Sequence, residues 1–362
     1  MRLAAIASAL AIVLCVAVFG AIFLQKASIP APASSPATAQ TTPTEGRAPG
    51  SVVTVADNPA DSTMGAPVAV AQAAPATAAQ AAPLPSAAST SCSNPNALGI
   101  ARVVEIDTTG GPGFGFEHFK SHDFLREGEV VLTFDDGPWP KNTPAVLAAL
   151  AAHCTKAIFF PIGTHATYEP GILKQVAAAG HAVGSHTWCH QDLSKTKGNC
   201  LVNGKVQAVE YDPKDEIEKG ISAVRWAVGG PTAPYFRFPA LRQPQELVDY
   251  LGKRNIAIFS TDMDSFDFKM RKPEQVRQAV LAKLKKHGKG IVLMHDFQHA
   301  TGEAAMDLLN DLKAAGYKIV FMKPKFPVTT IASYDEQILK LVKGPGGGDA
   351  RPTSSVVRTI AE

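Results

Sequence analysis

The sequence predicts an α/β domain built on a parallel sheet, and three observations predict it. From Glu129 onward, apolar runs of strand length alternate with helix-period segments, and strands separated by helices pair in parallel. Several of the helical segments open on proline, and Gly180 and Gly316 follow the ends of two, as helix start and stop chemistry requires. The unusual polar residues fall just after the apolar runs, where β/α architectures collect their reactive groups.

Composition narrows the function classes first. The 362-residue chain is 46% hydrophobic, which excludes a wholly disordered protein. A net charge of +3 without clustered Lys or Arg excludes a nucleic-acid partner. Five cysteines are too few for a disulfide-built scaffold. No aromatic residue occurs between Phe23 and Phe114, so the core-forming material lies after about residue 95.

Residues 1–26 hold an uncharged run, Leu3–Leu24, flanked by Arg2 and Lys26. About 20 apolar residues span a bilayer, which reads as a signal anchor. A cleaved signal peptide, cut near Ala31–Ala33, is the rival reading. Both take the chain across a membrane, so the rest is expected in the periplasm or outside the cell, anchored or, after cleavage, secreted. Residues 27–91 are rich in Ala, Pro, Ser and Thr with almost no charge. Such a stretch cannot pack a core and reads as a disordered tether. Residues 92–343 are expected to form the folded domain, and 344–362, opening on Gly-Pro-Gly-Gly-Gly-Asp, read as a disordered tail. Cys92, Cys154, Cys189 and Cys200 would sit in an oxidising compartment, where disulfides form. Cys189 and Cys200, close in sequence, are paired first.

Within the domain the expected strands are Val130–Phe134, Ala157–Ile162, His181–His186, Tyr235–Pro239, Ile256–Ser260, Ile291–His295 and Tyr317–Phe321. The expected helices are Thr143–His153, Pro170–Ala179, Pro213–Trp226, Pro244–Arg254, Pro273–Lys286 and Gly302–Ala315. No Gly-rich fingerprint follows the first strand and no P-loop occurs, which removes the main nucleotide readings. An open doubly wound sheet and a closed barrel both satisfy this pattern.

The polar clusters are Asp135-Asp136, His186 with His190, Arg237, the group Asp262, Asp264 and Asp267, and His295-Asp296. Each alone has a bland explanation: a turn at Asp136-Gly137-Pro138, two unrelated histidines, a structural ion pair, a core histidine. Five such coincidences on one face point instead to one site. Two neutral imidazoles and a carboxylate form a three-ligand set for a divalent metal. His186, His190 and one of Asp135 and Asp136 supply it. Adjacent residues on an extended strand point oppositely, so the second carboxylate is free to act as a base. His295 suits protonation of an amine leaving group, and the reaction class is metal-assisted hydrolysis.

These residues resemble the polysaccharide deacetylases of carbohydrate esterase family four. The resemblance spans roughly Ala97 to Val328 and rests on Thr133-Phe134-Asp135-Asp136-Gly137-Pro138, on Ser185-His186-Thr187-Trp188-Cys189-His190, on Arg237-Phe238-Pro239, on Asp267 and on Leu293-Met294-His295. It implies a distorted (β/α)7 barrel. It also implies Asp135 as catalytic base and Asp136, His186 and His190 as metal ligands. Arg237 would orient Asp135, and Asp267 would support His295 as general acid. Ala240 would offer an oxyanion its N–H, with Leu293 and Phe268 at the substrate. The implied cofactor is one divalent metal, Zn2+ by default, with Co2+ or Ni2+ as alternatives. The implied partner is an acetylated amino-sugar polymer, chitin-like or peptidoglycan. The chain departs from the family pattern at Ala240-Leu241, where Tyr-Gly is usual, and at Phe268, where Trp is usual. Three rival functions remain at this stage: O-deacetylation of an acetylated polysaccharide, a non-catalytic glycan-binding protein, and a non-haem iron oxygenase. The last has no use for a second Asp beside the metal.

Overall fold

One strand, buried along its whole length, organises the sheet. In chain order the strands are β1 (Arg102–Ile106), β2 (Gly113–Phe114), β3 (Glu129–Asp135), β4 (Ile158–Phe160), β5 (Ala182–Val183), β6 (Lys197–Val202), β7 (Lys205–Glu210), β8 (Tyr235–Phe236), β9 (Ala257–Phe259), β10 (Met263–Asp264), β11 (Gly290–His295) and β12 (Lys318–Pro324). The helices are α1 (Asn142–Ala152), α2 (Gly163–Tyr168), α3 (Pro170–Ala178), α4 (Pro213–Val228), α5 (Gln245–Lys253), α6 (Pro273–His287), α7 (His299–Ala314) and α8 (Ala332–Lys343). The computed structural model describes Cys92 and residues 94–202 and 205–343. The expected anchor over 1–26, tether over 27–91 and tail over 344–362 lie outside the described residues. Among the described residues no helix is long and apolar enough to cross a membrane.

All seven residues of β3 are buried, as a parallel strand covered on both faces requires. It pairs in parallel with β11, from Val130 beside Gly290 to Asp135 beside His295. Its other edge is shared, by β12 at Glu129 and Val130 and by β4 at Thr133 to Asp135. β4 pairs with β5, β8 with β9, and β10 with β11, and a bridge from Ser185 to Phe236 joins β5 to β8. β9 also pairs with β2, and the chain runs on from β9 into β10. β12, the last expected strand, also pairs with β1. The fold is mixed α/β on a parallel sheet.

Side-chain alternation along β3 sets the two sides of the sheet. Val130, Leu132 and Phe134 pack with Val146 and Leu150 of α1, Leu173 of α3 and Leu308 of α7. Val131 turns the other way, toward Ile158, Phe160, Phe259 and Ile291. Thr133 and Asp135 share the face of Val131. The most regular helix, α4, has complete caps: Asp212 accepts from the N–H of Lys214 and Asp215, Pro213 fills the first turn, and Gly229 closes it at φ 74°.

Several boundaries differ from expectation for local reasons. The run His181–His186 is extended, but only Ala182 and Val183 form a ladder. Beyond them the N–H groups of Gly184, Ser185 and His186 donate in turn to Phe159, Tyr235 and Pro161. Tyr235–Pro239 leaves the sheet after Phe236 and tightens into a single turn at Pro239–Leu241. The pattern missed β1, β2, β10, α2, the antiparallel β6–β7 hairpin and α8. Cys189 is joined to Cys200, and Cys92 to Cys154.

Candidate active site

Asp135 ends β3 on the same face as Val131 and Thr133, and a buried arginine meets it there. Arg237 Nη1 lies 2.7 Å from both Thr133 Oγ1 and Asp135 Oδ1. Its Nη2 donates to the Ser260 carbonyl at 2.9 Å and its Nε to that of Phe259 at 3.3 Å. The guanidinium stacks 4.5 Å above the Phe160 ring. A planar fork with this many fixed acceptors has one orientation. With Oδ1 engaged, Asp135 keeps Oδ2 for chemistry, 3.9 Å from His186 Nε2.

Asp136 leaves the strand at φ 71°, and its carboxylate approaches the same His186 Nε2 that Asp135 Oδ2 faces. The Asp136 carbonyl accepts from His165 Nδ1 at 2.7 Å. Its Oδ1 is buried without a hydrogen-bond partner, 3.5 Å from His186 Nε2 and 3.4 Å from His190 Nε2. Burial alone would raise this carboxyl, but His190, His186, His295 and His165 together hold it below its ordinary value. His186 is buried, and burial pulls its imidazole down to about 4 against the opposing charge of Asp135. It is therefore neutral near pH 7. Its Nδ1 donates to the Arg237 carbonyl at 2.7 Å, which leaves Nε2 as the lone-pair atom.

One ligand atom from each of Asp136, His186 and His190 lies within 4.8 Å of the others. A buried carboxylate oxygen without a partner, facing two imidazole nitrogens, fits a divalent cation. Of the two aspartates left open above, the geometry puts Asp136 with the histidines and ties Asp135 to Arg237.

His295 ends β11 directly beside Asp135 in register. Its Nδ1 is 2.6 Å from Asp267 Oδ1, and its backbone N–H donates to Asp267 Oδ2 at 2.8 Å. Thr301 Oγ1 donates to the same Oδ2 at 2.5 Å. Burial would lower this imidazole, but the hydrogen bond and charge of Asp267, then Asp136 and Asp135, raise it to about 9. The ring is thereby an acid whose Nε2 remains to donate. Asp296, next in the chain, is turned away from His295 and lies against Gly137, where an added Cβ would sit 2.3 Å from Asp296 Oδ2. Burial raises its carboxyl to about 7, opposed by the Thr143 hydroxyl.

The other sequence candidates divide. Asp267 joins the site, whereas Asp262 accepts from the N–H of Phe116 and Ile291 at 2.6 Å each and so holds the start of β11. Asp264 is half-buried and caps the turn at Phe266. Ala240 is exposed at φ 52°. Leu293 is buried on β11 two residues before His295, hence on the same strand face. Phe268 is 42% exposed with its ring edge-on to His295 at 5.3 Å.

Sequence reasoning missed Trp139, His165 and Phe297. Phe297 lies 5.9 Å from His295 and 6.4 Å from Trp139, which lies 5.5 Å from His165. With Phe268 and exposed Phe266 they make an aromatic border beside His295. An exposed tryptophan one residue after the Gly137-Pro138 turn was the available signal. A cavity of about 440 Å3, lined by Phe116, Lys120, His122, Asp262, His287 and Lys289, lies at the start of β11 rather than beside His295.

The family model for polysaccharide deacetylase matches residues 124–258. The chain is 31% identical over 167 residues to the chitooligosaccharide deacetylase of Bradyrhizobium sp. (strain ANU 289), covering 46% of this chain and 70% of that one. It is 32% identical over 193 residues to the peptidoglycan-N-acetylglucosamine deacetylase PgdA of Listeria monocytogenes, covering 53% of this chain but only 37% of that enzyme. Among solved structures, the Bdellovibrio bacteriovorus peptidoglycan deacetylase Bd3279 superposes with a TM-score of 0.52 at 30% identity, over 62% of this chain and 58% of that one. The chain belongs to the polysaccharide deacetylase family.

Proposed function

We propose that the protein is a metal-dependent hydrolase that removes N-acetyl groups from an amino-sugar polymer, of chitin or peptidoglycan type, and releases acetate. The observation that carries this reading is the Asp136–His186–His190 set, with Asp135 Oδ2 near it and His295 beside Asp135 in the sheet. The fold we assign is the distorted (β/α)7 barrel. A divalent ion held by those three side chains, Zn2+ by default with Co2+ or Ni2+ as alternatives, would polarise the acetyl carbonyl and make water acidic enough to attack it. The remaining work belongs to the chain. Asp135 Oδ2 accepts the proton of the attacking water while Arg237 holds Oδ1 still. The Ala240 N–H donates to the oxygen that becomes negative. His295, fixed through Nδ1 by Asp267, gives its Nε2 proton to the departing sugar nitrogen. An amine cannot leave as an anion, so this acid decides amide over ester chemistry.

Trp139 and Phe268 offer rings on which sugars stack, beside a Phe266 ring that lies under Lys269 and Lys283, and Leu293 backs the acetyl site. The uncharged run Leu3–Leu24 supports export or anchoring, with the domain acting outside the cytoplasm. The test is acetate release by the full chain from N-acetylglucosamine oligomers, peptidoglycan and acetylxylan in parallel, before and after chelation. Release from an amino-sugar substrate that stops on chelation and returns with metal supports the reading. Release from acetylxylan alone, or release undiminished in a metal-free sample, overturns it.

A further inference from the structure

His190 is the most exposed of the three ligating side chains, at 41%, and it stands at φ 55° on a loop. Little of its own packing fixes it, yet both of its neighbours are tied to the same strand. Cys189 is bonded to Cys200 of β6, and Gln191 Nε2 donates to the Asn199 carbonyl at 2.7 Å. Two consecutive residues of one strand thus hold the residues on either side of the ligand. Gly198 completes the fit, since a Cβ there would lie 2.0 Å from Gln191 Oε1. The Cys189 N–H is further held by Glu216 Oε2 at 2.8 Å.

The β6–β7 hairpin that provides these ties packs on the fold through Cys200 and Val209, against Trp188, Ala223 and Ile338. All of β7 is exposed or half-exposed, with Val206 73% exposed. A two-stranded hairpin is marginal in water unless something anchors it. Its further anchors are the Tyr168 hydroxyl on the Leu201 carbonyl at 3.2 Å and the Tyr211 hydroxyl on the Asp192 carbonyl at 2.9 Å. Anchoring runs both ways: the disulfide that holds the hairpin also holds the ligand loop.

We propose that Cys200, Gln191 and the β6 strand are positioning residues for His190, so that the Cys189–Cys200 bond contributes to metal affinity and not only to folding. The role rests on the metal centre proposed above. Supports outside a ligand set are worth roughly 10–100-fold in metal affinity when removed. The Cys92–Cys154 bond ties the start of the domain to the end of α1 and makes no such contact, so it serves as an internal control.

The experiment is a Zn2+ titration of the metal-free full chain against a chromophoric chelator, with thermal melting of the same metal-free samples. The double variant Cys189→Ala/Cys200→Ala leaves no thiol beside the ligand loop that could itself bind metal, and Cys15 is common to every chain compared. Its affinity should fall at least tenfold, while Cys92→Ala/Cys154→Ala stays within about twofold of wild type whatever its melting temperature. Wild-type affinity in the Cys189→Ala/Cys200→Ala variant overturns the proposal. If that variant does not fold, Gln191→Leu keeps the disulfide and removes only the bond to Asn199. Weaker binding by several-fold then supports the proposal, and unchanged binding overturns it. A wild-type chain that binds no metal removes the metal centre itself, which is distinguishable from loss of this role alone.

Discussion

Arg237 Nη1 and Asp135 Oδ1 are 2.7 Å apart, and both side chains are buried. The same guanidinium reaches Thr133, Phe259 and Ser260, so it joins β3 to β9 as well as aiming the base. Removing one partner of a buried pair costs about 3–5 kcal/mol, because the other charge is left uncompensated. Arg237→Lys keeps the charge but loses the fork. Metal affinity should stay within a few-fold of wild type, since His186 is held by the backbone carbonyl of residue 237, while kcat falls by roughly a hundredfold through misplacement of Asp135. Metal titration beside steady-state kinetics checks both halves.

Asp267 raises His295 to about 9 against the effect of burial. In Asp267→Asn the largest opposing charge is gone and only Asp136 and Asp135 still act against burial, so the imidazole should titrate below 9. The acid form of His295 exists below its pKa, so the alkaline limb of kcat/KM should move to lower pH. The stability linked to this histidine is present below its ordinary value near 6.5 and is lost as pH rises through about 9. Histidine NMR titration of the metal-free protein reads the shift directly, and an unmoved resonance would contradict the assignment.

Glu216 is buried, and burial raises its carboxyl to about 7 despite the Cys189 N–H and Lys219. A carboxyl raised in the folded state binds protons that the unfolded chain has released, so it destabilises the fold as pH rises from about 5 through 7. Glu216→Gln keeps an oxygen for the Cys189 N–H and does not ionise. Between pH 5 and 8 wild type should lose about 2 kcal/mol more stability than the variant. Denaturant unfolding at the two pH values measures this, and parallel losses would place Glu216 in a wetter setting.

Much of this site was legible because its ligands sit on short, dense stretches. Asp135 ends a fully buried strand, and the left-handed turn at Asp136 brings the second carboxylate to His186 beside the first. His186, Cys189 and His190 share one loop, and the Cys189–Cys200 pairing spans eleven residues. What stayed hidden depends on distant partners. Asp262 reads like Asp267 in sequence, yet its oxygens are consumed by Phe116 and Ile291. His165 approaches Asp136 because α2 forms from Gly-Thr-His-Ala-Thr-Tyr, a poor helix former held by its neighbours. The β6–β7 hairpin has no regular apolar alternation to announce it, since among its described residues only Cys200 and Val209 pack inward, against residues distant in the chain.

Phe268 packs edge-on to His295 with its ring centroid 5.3 Å away. Phe268→Ala should raise KM for an oligosaccharide severalfold and leave kcat within about threefold, because stacking acts on ground and transition states alike. Phe268→Trp should lower KM. Kinetics on a dimer and a pentamer of N-acetylglucosamine check this. An equal loss in kcat and kcat/KM would make Phe268 part of the support for His295 instead.

The central claim is that Asp135 is the base beside a metal held by Asp136, His186 and His190. Acetate release by Asp135→Asn at matched metal occupancy tests it most directly, since Asn keeps the volume and a hydrogen-bonding oxygen but accepts no proton. The account predicts metal bound at wild-type stoichiometry and a fall in kcat of roughly 10²–10⁴-fold. Turnover within a few-fold of wild type would contradict it, and so would loss of the metal, which would make Asp135 a ligand.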